Sequence, residues 1–442
     1  MIRAGGGRAA LRALPTATAA QLSISRLSPG ACADQSTLIS VTRGCELMPE
    51  SSMPEDGRSI HDTILALDAH IDIEVTFFTP EQAEASGFQK LASLEKIEEG
   101  GLDAAFFVAY SEQGPLTVEG YARAYETVVE KIDTIRHVAE GPLQEKIGLA
   151  LYPDDVLAMH SSGRIAAVIA LENGYPLGED LERLHRLYSL GGRYITLSHV
   201  GHNQICDSKW APGEPEVVHG GLSPFGKKVV AEMNGLGFMI DVSHISKPSV
   251  LDVFRLSKSP VIVSHSGVQG VGGVGNILDD EELDGLGENG GVIHIVGLKR
   301  AIKTDSMEKT QEIKDLRREF GLPVEFWPFF QALQERNAET RMAYEQRLEG
   351  IEKKYGRPSV QDLVDHVDYV VNRIGIDHVG ISSDFYNYSF SLDGWRDASE
   401  TFNITLELVR RGYAVEEIGK IWSGNTLRVW REVEEVAAQL QR

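Results

Sequence analysis

Eight short apolar segments, each followed by helical or loop sequence, set the strongest limit on what this chain can fold into. Each has the length and apolar content of a buried strand, and amphipathic helical segments such as 118–140 and 359–375 lie between them. A strand followed by a helix eight times over predicts an α/β fold, a closed (β/α)8 barrel of the TIM type. The eight segments are 64–70, 102–110, 164–172, 193–199, 237–244, 260–265, 290–298 and 377–384.

The segments cover more of the chain than such a barrel needs, since the typical barrel takes about 250 residues. The largest excess is the charged stretch 301–358, which we expect to be a helical insertion between the seventh and eighth strands. A doubly wound open sheet is the rival fold. It requires a glycine-rich phosphate-binding loop after the first strand, and the sequence HIDIEVTFFTP at that point is not one.

Six of the eight predicted strands finish on or beside a side chain that can bind a metal ion or take part in catalysis. In a (β/α)8 barrel the carboxyl ends of all the strands open on one face, where active sites are built. Residues far apart in the chain are therefore expected to meet there. They are His70, Asp72, Glu172, His199, His244, His265 and Asp384.

The residue types predict a metal site. Side chains two residues apart on a strand point to the same face, so His70 and Asp72 can reach one ion together. Metal coordination compensates the cost of burying so many ionisable groups. Histidines and carboxylates without cysteine favour zinc, with manganese or cobalt as alternatives. Because an open catalytic zinc usually has three protein ligands, we expect two divalent ions about 3.5–4 Å apart, bridged by Glu172.

Charge and cysteine content limit the expected partners and compartment. Lysine and arginine number 43 against 65 acidic residues, a net charge of -22, so we expect neither a nucleic-acid nor an anionic-membrane partner. Three widely spaced cysteines give no disulfide framework, and no apolar run approaches the roughly 20 residues of a bilayer span. The cysteine pattern favours a reducing, cytoplasmic setting. Residues 1–55 are expected to be a disordered extension, or alternatively a targeting-like segment, before a barrel over 56–442.

Five segments of the chain, spread from the first strand to the last, carry a specific resemblance. They are LDAHIDIE, ALENGYPLGEDLERLHRLYSLGGRYITLSHVGHNQICDSKW, GGLSPFGKKVVAEMNGLGFMIDVSHIS, SKSPVIVSHSGV and HVDYVVNRIGIDHVGISSDF. Together they resemble the membrane (renal) dipeptidases, peptidase family M19, among the amidohydrolase-like metal barrels. A general amidohydrolase usually has HxH on the first strand and a carboxylated lysine as bridge, whereas HxD and a glutamate favour the dipeptidase branch.

The resemblance implies a role for each residue. His70 and Asp72 would bind one zinc, His244 and His265 the other, and Glu172 would bridge them. His199 would contact the substrate or intermediate, and Asp384 would lie near the attacking water and the substrate amine. The resemblance also implies a small peptide-like substrate and a homodimer. These residues are found in the chain at the matching positions of the motifs.

The chain departs from the family pattern at two positions. The family's arginine that binds the terminal carboxylate of a dipeptide is matched by Gly275, and its tyrosine after the seventh strand by Leu298. Arginine is hard to replace in bidentate carboxylate recognition. One hypothesis is that Lys299 or Arg300 supplies the missing charge from the next loop. The alternative is that both are solvated surface residues.

Three functions remain open on the sequence. The leading one is a binuclear metallohydrolase that cleaves dipeptides or similar small amides. The missing arginine keeps a second possibility, which is hydrolysis of a lactone, an ester or a non-peptide amide. A third possibility, from a different class, is a catalytically inactive metal-binding barrel, against which the complete ligand set argues.

Overall fold

The computed structural model describes residues 56–73, 91–141, 143–386 and 391–442. The extension expected over 1–55 lies outside these ranges. Within them, no helix combines the length and the apolar composition needed to cross a membrane.

In the described part of the chain, ten strands form the sheet, and eight of them follow one another in the order β1-β2-β4-β5-β6-β7-β9-β10. All the pairings within the sheet are parallel. The strands are β1 Leu67–Asp72, β2 Ala104–Tyr110, β3 Ile147–Leu149, β4 Ile165–Glu172, β5 Gly192–Thr196, β6 Met239–Asp241, β7 Ile262–Val268, β8 Ile277–Leu278, β9 Val292–Val296 and β10 Val379–Ser382.

The sheet closes into a barrel between β1 and the segment that follows β10. Ile71 pairs with Phe385 in parallel, the amide of Asp72 donates to the carbonyl of Phe385 at 3.2 Å, and the amide of Asp384 donates to the carbonyl of His70 at 2.9 Å. The prediction of an eight-stranded TIM-type barrel is therefore confirmed. Among the described residues, the sequence did not predict β3 and β8, which have three and two residues and pair beside β4 and β7.

Helices surround the barrel, and the predicted helical segments 118–140 and 359–375 are both found, with bounds within one residue of the prediction. Ser359 caps the helix Val360–Ile374 by accepting from the amide of Asp362. Gly237 ends the helix Pro224–Leu236 in the left-handed conformation, with φ of 82°. The helices are Asp56–His61, Leu94–Gly100, Val118–Glu140, Pro153–Ser161, Leu181–Ser189, Pro224–Leu236, Lys247–Leu256, Asp280–Asn289, Lys299–Ile302, Met307–Glu319, Phe326–Gln334, Ala338–Tyr355, Val360–Ile374, Phe402–Arg410, Val415–Gly419 and Asn425–Leu440.

Alternation along the strands sorts side chains between the inside of the barrel and the helical layer. On β4, Ala166, Val168 and Ala170 belong to one apolar cluster together with Trp430 of the C-terminal helix. Their neighbours Ala167, Ile169 and Leu171 belong to the cluster that includes the surrounding helices. Glu172 continues the first series, so its carboxylate enters the barrel mouth rather than the helical layer.

The insertion between β9 and β10 is helical, as predicted, and has its own small core. Leu316, Phe329, Leu333 and Tyr344 are buried together, and Tyr386, just after β10, packs against them. A buried ion network joins this insertion to the barrel. The carboxylate of Glu352 pairs with Lys299, which follows β9, and with Lys309 at 2.7 Å.

We predict that Glu352→Gln destabilises the protein because it leaves two buried lysines without their shared counter-charge. Removing one partner of a buried ion pair typically costs about 3–5 kcal/mol, and we expect a loss of this size in chemical denaturation. The matched control is Glu312→Gln, which breaks the exposed pair with Lys354 and should leave the denaturation midpoint unchanged. Equal midpoints for the two variants would contradict the prediction.

Candidate metal centre

The structure brings all seven sequence-predicted residues together at the carboxyl ends of the strands. His70 and Asp72 lie on β1, Glu172 is the last residue of β4, and His265 lies within β7. His199, His244 and Asp384 come two or three residues after β5, β6 and β10. Their potential ligand atoms fall into three groups, within each of which the atoms lie no more than 4.8 Å apart. The groups are His70 with Glu172 and His265, Glu172 with His199 and His244, and His70 with Asp72 and Asp384.

Glu172 lies at the centre of the cluster and directs its two oxygens to different partners. Its Oε2 is 3.7 Å from Nε2 of His70. Its Oε1 is 3.3 Å from Nε2 of His244 and 3.4 Å from Nε2 of His265. His199 also faces Oε1, at 3.7 Å. The two oxygens therefore face different imidazoles, and the rings of His70 and His265 are also neighbours, with centroids 4.0 Å apart.

Three polar residues in or beside the site have a left-handed backbone conformation, which sets the direction of their side chains. In the described part of the chain, the non-glycine residues with positive φ are Asn173, His244 and Asp384, at 82°, 65° and 55°. Such conformations are uncommon outside glycine, and they concentrate at functional sites where the surroundings hold them in place. His244 and Asp384 are two of the predicted residues, and Asn173 directly follows Glu172.

Hydrogen bonds fix which nitrogen of two histidines carries the proton. The hydroxyl of Tyr194 donates to the carbonyl of Ala69 at 3.1 Å, so its 2.8 Å contact with Nδ1 of His70 must use the proton of Nδ1. Ser264 donates to Asp241 at 2.6 Å and in the same way accepts from Nδ1 of His265 at 2.8 Å. Once Nε2 is deprotonated, as metal binding requires, its lone pair faces Glu172.

Two buried carboxylates, those of Asp68 and Asp241, hold the backbone of the site. Asp68 accepts from the amides of His70 at 3.0 Å and Ser383 at 2.9 Å, and so joins β1 to the turn before Asp384. Burial raises the pKa of Asp68 to about 6, against the opposing effect of these hydrogen bonds. Asp241 accepts from the amides of Ser243 and Ser264 at 3.0 and 2.9 Å.

Asn276 links His244, which follows β6, to His265, which lies on β7. Its side-chain oxygen accepts from the amide of His244 at 3.1 Å, and its side-chain nitrogen donates to the carbonyl of His265 at 2.5 Å. Sequence reasoning gave no role to these supports. The only signal for Asp68 was its place in the first polar strand, and Asp241, Asn276 and Tyr194 have no signal without the fold.

Burial and the interactions among neighbouring charges strongly shift the pKa values of the residues in the cluster. Burial opposes ionisation of Glu172, but the surrounding imidazoles, His199 and His70 foremost, hold the pKa of Glu172 well below its ordinary value. Burial would lower the pKa of His70, but the nearby carboxylates, led by Glu172, raise it to about 10. Burial lowers the pKa of His199 to about 3 and raises the pKa of Asp384 well above its ordinary range. Such displacements are typical of functional sites.

The donor set fits a divalent metal ion. Nε2 of His70 is buried and has no hydrogen-bond partner among the described residues, with Glu172 and Asp384 oxygens at 3.7 and 3.8 Å. Two ligands of one tetrahedral zinc lie about 3.4 Å apart, close to the separations around Glu172. The Nε2 atoms of His244 and His265, 2.6 Å apart, would have to spread slightly. By contrast, both ring nitrogens of buried His294 are satisfied, by Val263 and Thr426.

A (β/α)8 barrel with such groups at its carboxyl face defines the class of metal-dependent barrel hydrolases. Residues 55–442 match the family "Membrane dipeptidase (Peptidase family M19)", and the chain belongs to this family. It is accordingly a metal-dependent hydrolase of the dipeptidase type, as the sequence predicts. The family uses divalent metal, and the histidine and carboxylate groups described above are its candidate ligands in this chain.

Relatives cover most of the chain. It is 28% identical to Dipeptidase verJ of Clonostachys rogersoniana over 387 residues, 85% of this chain and 86% of the relative. Over 349 residues it is 28% identical to Dipeptidase tcpJ of Claviceps purpurea (strain 20.1), 78% of this chain and 70% of the relative. The solved structure of the probable dipeptidase PvdM from Pseudomonas aeruginosa is 30% identical, with a TM-score of 0.74 over 88% of this chain and 100% of that one.

A more distant structure shares the fold. The metallo peptidase from Rhodobacter sphaeroides, solved with a phosphinate mimic of the dipeptide L-Ala-D-Ala, has a TM-score of 0.63 at 19% identity. It covers 84% of this chain and 99% of its own.

We predict that removing metal lowers stability in the wild-type protein but not in Glu172→Gln, because the carboxylate oxygens face both sets of histidines. A ligand at about 100 times its Kd stabilises the folded state by about 2.7 kcal/mol. Thermal unfolding with added zinc and with chelator, together with elemental analysis, measures this effect. The control His185→Ala alters an exposed histidine paired with Glu232 and should keep the wild-type metal content. Full metal content in Glu172→Gln would contradict the prediction.

Proposed function

We propose that the protein is a binuclear hydrolase that uses two divalent ions, with Zn2+ expected, to cleave dipeptides or similar small amides. One observation carries the proposal: the two oxygens of Glu172 face two different sets of ligand atoms. This supports Glu172 as the bridge, with His70 and Asp72 on one ion and His244 and His265 on the other. The dipeptidase relatives support the substrate class.

Bound at these residues, the two ions would supply hydroxide near neutral pH and polarise the scissile carbonyl. The protein's own part is to fix the ligands and to manage protons. The hydrogen bonds from Nδ1 of His70 and of His265 keep each ring in one orientation. Rigid strands carry both residues, which favours a constant geometry through the reaction.

His199 is suited to stabilise the negative charge that develops on the carbonyl oxygen. Its ring packs against the ring of His244 with centroids 4.3 Å apart, and its Nε2 is 3.7 Å from Glu172. Because burial lowers the pKa of His199 to about 3, the imidazole stays neutral and donates through a ring N–H. Loss of one such donor typically costs about 10²–10³ in rate.

Asp384 is suited to transfer the proton. Its Oδ1 is 3.8 Å from Nε2 of His70, and its left-handed backbone directs the side chain to the cluster. Burial raises the pKa of Asp384 well above its ordinary value, which favours proton transfer by this carboxyl. We propose that it takes a proton from the attacking water and gives it to the leaving nitrogen.

Arg300 is the better of the two candidates for binding a substrate carboxylate. A Cβ on Gly275 would lie 3.3 Å from Nε and Nη2 of Arg300, so the guanidinium lies against the position where the family arginine would begin. Gly275 adjoins Asn276, which holds His244 and His265. The charge of Lys299 is instead paired with Glu352.

Position 275 is glycine where the family has an arginine. This difference also supports the second candidate function, hydrolysis of a lactone, an ester or a non-peptide amide. If Arg300 does not bind a carboxylate, the substrate need not have one. The complete set of ligand residues argues against an inactive barrel. A homodimer, a cytoplasmic location and the lack of nucleic-acid and membrane partners stay predictions.

We predict that Asp384→Asn lowers kcat for a hydrolysed dipeptide by about 10²–10⁴, the usual contribution of general acid–base catalysis. The amide cannot accept the proton, while KM should change little. Steady-state kinetics on metal-replete protein measures the effect. Asp377→Asn, an exposed acid paired with Lys420, is the control and should keep wild-type kcat. An Asp384→Asn enzyme as fast as wild type would refute this role.

We predict that Arg300→Gln lowers kcat/KM for a free dipeptide by about 10- to 100-fold, the range of a lost hydrogen bond to a charged group. The C-terminal amide of the same dipeptide should be hydrolysed equally by variant and wild type. Lys303→Gln, which breaks the nearby exposed pair with Asp362, serves as control. If kcat/KM fell equally for the free dipeptide and for its C-terminal amide, Arg300 would not be the residue that binds the carboxylate. That result would favour the second candidate function.

A further inference from the structure

Tyr110 lies in the barrel mouth beside Glu172, although sequence reasoning gave it no role. It ends β2 and pairs in register with Glu172 at the end of β4. It continues the series Ala104, Phe106 and Val108, which belongs to the apolar cluster inside the barrel. Because paired residues on neighbouring strands point to the same face, Tyr110 and Glu172 both direct their side chains into the mouth.

Two neighbours fix the ring of Tyr110. Its edge meets the imidazole of His199, with centroids 4.9 Å apart and planes at 68°. The ammonium of Lys131, from the helix Val118–Glu140, lies 5.6 Å from the ring centroid. The phenol is therefore held next to a residue that our proposed function assigns to the reacting carbonyl.

The hydroxyl of Tyr110 is buried and has no hydrogen-bond partner among the described residues. Buried hydroxyls are normally paired, so an exception needs an explanation. Two other buried tyrosines have partners: Tyr194 bonds His70 and Ala69, and Tyr175 donates to the carbonyl of Pro115 at 2.6 Å. The hydroxyl of Tyr344 also has no partner among the described residues, but Tyr344 lies in the core of the insertion, whereas the ring of Tyr110 contacts His199 in the site.

A phenol is a hydrogen-bond donor at neutral pH because its ordinary pKa is about 10. Burial and the carboxylate of Glu172 raise the pKa of Tyr110 further. A donor at this position complements an oxygen that gains negative charge.

We propose that Tyr110 is a substrate-contacting residue whose hydroxyl, together with His199, donates a hydrogen bond to the oxygen that becomes negatively charged during hydrolysis. This inference rests on the proposed function. It predicts that the contact is stronger in the transition state than in the bound substrate, so that it affects kcat more than KM.

The test is Tyr110→Phe, which keeps the ring against His199 and removes only the hydroxyl. We expect kcat on a dipeptide to fall about 100-fold, with KM and metal content near wild type. The affinity for a phosphinate dipeptide analogue, whose tetrahedral anion imitates the charged intermediate, should fall by the same factor as kcat/KM. A purely structural role would lower stability without this matched loss.

Tyr413→Phe is the control, because it removes a hydroxyl that donates to Asp368 at 2.6 Å outside the barrel. It should leave kcat and phosphinate affinity unchanged. Wild-type kcat and phosphinate affinity in Tyr110→Phe would overturn the inference and leave the proposed function intact. Failure of metal-replete wild-type protein to hydrolyse any amide or to bind the phosphinate would overturn both.

Discussion

A buried carboxylate that faces several imidazoles is the interaction on which the rest of this structure depends. Glu172 lies at the end of β4, a strand that pairs along its length with β2 and also with β5, so its position is fixed from both sides. Burying such a charge is unfavourable unless other groups compensate it. The four histidines that surround Glu172 come from four different strands or strand ends, and closure of the barrel brings them together.

The closing seam of the barrel and the metal centre are the same piece of structure. The hydrogen bonds that join β1 to the segment after β10 involve the backbone of His70, Asp72 and Asp384. Asp68 reinforces this seam by accepting from the amides of His70 and Ser383. The left-handed conformation of Asp384 is held by these contacts, which explains how an unfavourable backbone persists at the site. Folding and preorganisation of the site are therefore not separable in this region.

Two consecutive residues show how the helical insertion is connected to the site. Lys299 is buried against Glu352 and anchors the insertion to the loop after β9. The next residue, Arg300, lies against Gly275. Glycine at 275 leaves room for the guanidinium, because a side chain there would begin only 3.3 Å from it. In the proposed function, this guanidinium takes the place of the charge that Gly275 does not provide.

The sequence alone determined the barrel, the insertion and the residues that form the cluster. Apolar segments of strand length and the chemistry of their carboxyl ends are local properties, and a parallel barrel converts them into one site. Only the tertiary structure decided which oxygen of Glu172 faces which histidine, and that Asp68, Asp241, Asn276 and Tyr110 belong to the site. The choice of Arg300 over Lys299 as the candidate cation also came from the fold. Adjacent residues are equal in a pattern of charges, and only packing determines which way each side chain turns.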